Sequence, residues 1–110
     1  MGRYISTTPG AVSTIREVST TYQSLPNDRI MADVSSSAYT ITLPAVADVI
    51  AGDVVQIVDV LNNAATNNIT VGRNSANINS TAEDMVIDVK GSVTTFTYVN
   101  VTYGWVITSV

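Results

Sequence analysis

From residue 39 to residue 43 the chain reads Tyr-Thr-Ile-Thr-Leu, apolar and polar side chains in strict alternation, with Pro44 directly after. A period of two places Tyr39, Ile41 and Leu43 on one face of a strand and Ala38, Thr40 and Thr42 on the other. Pro44 has no N–H to give to a ladder, so the strand stops there or lies at an edge. The same pattern governs residues 29–34, where Ile30, Ala32 and Val34 face one way. Residues 53–60, Asp-Val-Val-Gln-Ile-Val-Asp-Val, follow an Ala51-Gly52 turn and are apolar on both faces. That pattern predicts a central strand covered on both sides.

Composition supports a β-architecture throughout. Charged residues are 13% of the 110, against about 25% in a typical soluble domain. Polarity comes instead from 15 Thr, 11 Ser and 9 Asn, and Val is the commonest residue at 17. β-branched side chains fit a pleated surface better than a helix. With few charges to guard sheet edges, a homo-oligomer that covers them is expected; a monomer with bulged, twisted edges is the alternative. The length suits one domain with a modest core.

The five cations, Arg3, Arg16, Arg29, Arg73 and Lys90, are scattered in a chain of net charge −4. Phosphate backbones need clustered cations, so no nucleic-acid partner is expected. Without Cys, disulfides and thiolate metal sites are impossible. The opening MGRYISTTPG lacks the apolar core of a signal peptide, and no apolar run approaches the ~20 residues of a spanning helix. Synthesis in the cytoplasm and no membrane partner are the expectations.

Residues 1–26 differ from the rest. They are rich in Ser and Thr, hold Pro9 and Pro26, and carry only scattered apolar residues, without a sustained period. They read as an extended N-terminal arm docking on a neighbour through Tyr4, Ile5, Val12, Ile15 and Val18, or as a first strand after a loose terminus. Residues 27–110 read as the domain proper. Ser35-Ser36-Ser37 predicts a tight turn, residues 45–50 a brief helical turn or loop, and the Asn-rich residues 61–68 a loop. Short strands are predicted at 69–71 and 77–79, around a turn at 72–75. Lys90-Gly91 reads as a two-residue hairpin turn between strands at 85–89 and 92–99, and residues 105–110 form the last strand. About eight short strands make an all-β antiparallel sandwich or small barrel.

Chemistry is sparse. With no His, acid–base catalysis would fall to carboxylates, Lys90 or a perturbed tyrosine. Asp53 with Asp59, and Asp84 with Asp88, are the pairs to test against the ~5–10 Å that a glycosidase needs. Glu83 and Asp84, beside Asn77, Asn79 and Ser80, offer oxygens of the kind calcium takes, without an EF-hand pattern. No catalytic residue, cofactor or metal is expected. Phe96, Tyr98 and Trp105 are predicted to pack across two successive strands. Tyr103 is the best candidate for an exposed ring.

Four elements in order carry a resemblance: Thr42-Leu43-Pro44, Gly52-Asp53-Val54-Val55, Asn67-Asn68-Ile69-Thr70-Val71 and Tyr103-Gly104-Trp105. Residues 27–110 resemble a β-domain of tailed-bacteriophage virion proteins, of the marine and cyanophage type, found in capsid decoration (cement) proteins and in tail-fibre and appendage proteins. The resemblance implies a non-enzymatic protein of the virion surface. Its partner would be the major capsid protein, held by the arm, and its state a homotrimer. The alternative it implies is a tail or fibre component, or an adhesin that binds host-surface carbohydrate. That adhesin would use loops 61–68 and 73–80 with Tyr103, and contact residues Asn67, Asn74 and Tyr103.

Overall fold

The structure, a computed structural model, describes residues 14–109. Nine strands form among them: β1 (Thr14–Val18), β2 (Tyr22–Gln23), β3 (Asp28–Ala32), β4 (Tyr39–Thr42), β5 (Val54–Asp59), β6 (Ile69–Gly72), β7 (Met85–Ile87), β8 (Val93–Asn100) and β9 (Gly104–Ser109). A short 3-10 turn, Val46–Asp48, lies where a helical turn or loop was expected.

Two sheets share these strands, in the orders β1-β3-β5-β8-β9 and β2-β4-β6-β7. The first six strands enter the sheets alternately, and from β3 to β6 each pairs in parallel with the strand two places before it. The chain therefore winds as three coils of a β-solenoid, each coil laying one strand in each sheet. It then reverses. β7 runs antiparallel to β6, β8 to β5, and β9 to β8. The all-β class and two packed layers stand as expected, but both sheets are mixed rather than antiparallel.

The reason lies in the connections. A parallel pair needs a crossover rather than a hairpin, and here the opposite sheet supplies it. Ser35–Ser37 and Lys90-Gly91 turn the chain from one sheet to the other. In particular, β7 and β8 pair in different sheets, so Lys90-Gly91 is an arch and not the tip of a hairpin. The segment 77–79, expected as a strand, makes only isolated bridges from Ile78 to Thr81 and Trp105.

One core fills the space between the layers. The first sheet contributes Ile30, Ala32, Val55, Ile57 and Phe96, and the second contributes Tyr39, Ile41, Ile69, Val71 and Ile87. These are the inward positions of the period-two patterns. Each large side chain so buried contributes about 1.5–3 kcal/mol from removal of its surface from water. Tyr98 and Trp105 sit directly opposite across β8 and β9. Their rings meet edge to face at 5.4 Å between centroids, as the sequence predicted.

Candidate functional site

The two ends of the coil stack are unlike. At the far end, residues 77–81 lie along β9 and use its free edge: Trp105 N–H donates to Asn77 O (2.8 Å), Asn79 N–H to Trp105 O (2.8 Å) and Ser80 N–H to Tyr103 O (2.9 Å). Farther along, Ile107 N–H donates to the Asn79 side-chain oxygen (3.0 Å), which takes the place of a ladder carbonyl. Gly104 makes this approach feasible. Its φ is +69°, and a Cβ there would stand 1.9 Å from Asn77 O. The Tyr103-Gly104-Trp105 sequence is thus a closure device.

At the near end β1 and β2 are the terminal strands of their sheets among the described residues. Thr14 N–H donates to Asn27 O, and Val18 O accepts from Asp33 N–H, so the even-numbered residues of β1 face β3. By alternation, the N–H and C=O of Ile15 and Glu17 point along the open edge. β1 pairs with β3 through all five residues without a bulge, and it carries no Pro or Lys. Of the devices that guard natural edges it has an inward-pointing charge, Arg16, but no proline or bulge. A shallow hollow of about 500 Å³ runs along residues 15–22 beside it.

This open coil is held rigid by charge. Arg16 stands in the inward row with Ile30 and Ile57. It donates from Nε to Asp28 Oδ1 at 3.1 Å, while Tyr22 Oη–H donates to Asp28 Oδ2 at 2.7 Å and Leu25 N–H to the same oxygen at 2.9 Å. Asp28 is buried, and with all of its donors charge-assisted or short it fixes β1, β2 and β3 together. Burial and the bond to Asp28 push the Tyr22 hydroxyl up to about 12. The same carboxylate raises the Arg16 guanidinium, which stays charged. Tyr39 closes the coil from the second sheet, donating to both Asp33 O (3.0 Å) and Val18 O (3.2 Å).

The expected arm divides on inspection. Tyr4, Ile5 and Val12 lie outside the described residues. Ile15 is 60% exposed on β1, whereas Val18 packs against the core. Thr14–Val18 and Tyr22–Gln23 are strands of the two sheets, paired with β3 and β4.

The loop residues have structural duties. Asn67 donates its amide to Val34 O (2.8 Å), and Asn74, at φ +52°, donates to Leu43 O (3.0 Å). Each ties a loop to the preceding coil. Tyr103 is half exposed at the β8–β9 turn.

The carboxylate pairs do not converge. Asp53 and Asp59 lie at opposite ends of β5, about 20 Å apart by strand rise, and Asp84 and Asp88 flank β7 about 13 Å apart. Asp59 is buried and accepts from Asn63 N–H (3.1 Å), Ala64 N–H (2.9 Å) and Gly91 N–H (2.9 Å). Burial raises its pKa, yet these three donors outweigh burial and hold it below the ordinary value. Of the oxygens considered for calcium, Asp84 Oδ1 accepts from Arg73 N–H and Asn79 Oδ1 from Ile107 N–H, while Asn77 donates its amide to Thr102 O. Among the described residues no three carboxylates gather as a metal site, and no helix is long and apolar enough to cross a membrane.

Sequence reasoning missed Asp28 and Asp59 as internal hubs. The signal was there: Asp28 continues the inward series Ile30, Ala32, Val34, and Asp59 continues Val55, Ile57. No protein-family profile matches this chain, and no curated protein matches it either.

Proposed function

We propose that the chain is a non-enzymatic structural protein of a tailed-phage particle, a surface-decoration module of the head that docks through the open edge of its first coil. The observation that carries the reading is the asymmetry of the stack: residues 77–81 seal the edge of β9, while β1 presents the N–H and C=O groups of Ile15 and Glu17. An extended segment of a capsid subunit added there would gain main-chain hydrogen bonds, with the neighbouring side chains setting specificity. The Arg16–Asp28–Tyr22 network holds that edge in place, so little ordering cost remains at binding. The order of sequence motifs shared with virion β-domains supplies the setting.

The test is quantitative mass spectrometry of purified particles of the encoding phage. Hundreds of copies per particle support decoration of the head. Tens or fewer move the chain to the tail or a fibre, and its absence from particles refutes the reading. A Glu17→Pro variant should lower occupancy strongly. The Glu17 N–H faces away from β3, so the substitution removes an edge donor and leaves the internal ladder intact.

A further inference from the structure

We infer that the segment received at the open edge of β1 is basic: it sets a Lys or Arg opposite Glu17 and, two places away, an apolar residue opposite Ile15. This rests on the edge-docking reading above and names the chemistry of the partner. An added strand continues the rows of the sheet. Its side chains therefore stand alternately beside Ile15 and Glu17 on the outer face and beside Arg16 on the inner face.

The inner row asks for no charge. Arg16 is already paired with the buried carboxylate of Asp28 at 3.1 Å. The outer row does ask for one. Glu17 is exposed and has no ion-pair partner among the described residues. With Asp33 it lines a hollow of about 440 Å³ whose other walls are Val18, Met31, Val60 and Leu61. Ser35 donates both its N–H (2.9 Å) and its hydroxyl (2.6 Å) to Asp33 Oδ1, which holds that carboxyl below its ordinary value. Apolar walls with two carboxylates make a slot for a long cationic side chain. Such a chain lays its methylenes on apolar surface and keeps its charged head at the wet rim.

The cations described on this sheet stand too far away to fill that role. Arg29 is in register with Ile15, one strand farther in, so an added strand would lie about 10 Å from it, roughly a Debye length. Lys90 precedes β8, four strands and about 19 Å from the added position. Glu17 would be one strand away, about 5 Å. The docking segment thus meets a negative edge, and the net charge of −4 carries the same sign to longer range. An acidic segment would gain the main-chain bonds but set like charges directly opposite each other, which destabilises a strand pair.

Fluorescence anisotropy on the full chain tests this with two labelled, end-blocked peptides, STVTKTVS and STVTETVS. Val flanks the central residue two places away on both sides, so parallel and antiparallel docking are served alike. The Lys peptide should bind at least ~10-fold more tightly than the Glu peptide at low salt, and the preference should shrink in 1 M salt, where the screening length is about 3 Å. Glu17→Lys should reverse the preference, and Glu17→Pro should abolish binding of both peptides. Equal binding of the two peptides, or a preference that survives Glu17→Lys, overturns the inference and leaves edge docking standing. Failure of both peptides to bind overturns the inference together with edge docking. In that event, dimers in sedimentation velocity assign the edge to a second copy. Binding of the Lys peptide by an Arg3→Glu variant alone assigns it to the first residues of the same chain.

Discussion

Gly104→Ala should be among the most damaging single-methyl additions in this protein, and the structure allows its cost to be worked out. The backbone at Gly104 has φ +69°, where an L side chain costs about 1–2 kcal/mol. The added Cβ would also lie 1.9 Å from Asn77 O, 2.5 Å from Asn77 C and 2.8 Å from Asn77 Cα. These are backbone atoms and cannot swing aside. Relief requires the 77–81 segment to retreat by about 1 Å or more, which breaks the 2.8 Å bond from Trp105 N–H to Asn77 O and strains the two bonds beyond it. At about 0.5–1.5 kcal/mol per bond, strain and lost bonds together come to about 3–5 kcal/mol. Gly52→Ala is the matched control. It has φ +97° with nothing within 4 Å of the new Cβ, so only the conformational term of about 1–2 kcal/mol applies. Urea denaturation reads both. With a slope of about 1.5 kcal/mol/M, Gly104→Ala should lower the midpoint by about 2 M or more and Gly52→Ala by about 1 M. Equal losses for the two would refute the claim that close approach of residue 77, rather than backbone conformation, is what demands glycine after Tyr103.

Asp59→Ala leaves three N–H groups without their acceptor, that of Ala64 buried and those of Asn63 and Gly91 partly so, and should cost about 2–4 kcal/mol in the same assay. The folded pKa of Asp59 is depressed, so its contribution is complete above the unfolded value near ~3.9 and is lost as pH falls through the folded value. Acid unfolding of Asp59→Asn should accordingly show a shallower pH dependence than wild type. At the alkaline end, Tyr22 and Tyr39 are raised to about 12, chiefly by burial. Their stabilisation is present below pH ~10 and is lost as pH rises through about 12. Absorbance titration should therefore find two tyrosines ionising near pH 12, and Tyr22→Phe should remove one of them. Asn74→Ala loses both the bond to Leu43 O and a residue suited to positive φ, and should destabilise by about 1–2 kcal/mol.

Much of the local structure was legible because period two needs only local sequence. Ile30, Ala32 and Val34, and Tyr39, Ile41 and Leu43, face inward as the alternation required. The Tyr98–Trp105 pair followed from two strands joined by a short turn. The winding was not legible. Register sets Thr14 beside Asp28 but Arg29 beside Gln56, so the second coil is about twice as long as the first. Coils of unequal length leave no repeat for the eye to find, and turn residues such as Lys90-Gly91 serve an arch as well as a hairpin. Alternation sets Asp28 and Asp59 on the inward faces, but burial of a charge depends on donors brought from other segments: Arg16 and Tyr22 for one, Ala64 and Gly91 for the other. An open edge belongs to the topology too. Nothing in Thr-Ile-Arg-Glu-Val says that it will end the sheet among the described residues.

The most direct test of the docking account is amide hydrogen exchange at Ile15 and Glu17, resolved to single residues, in the free chain and on the assembled particle. The account predicts rapid exchange at both in the free chain, beside slow exchange at Arg16, and strong protection of both on the particle. Exchange at Ile15 and Glu17 that is equally fast in the two states would contradict it.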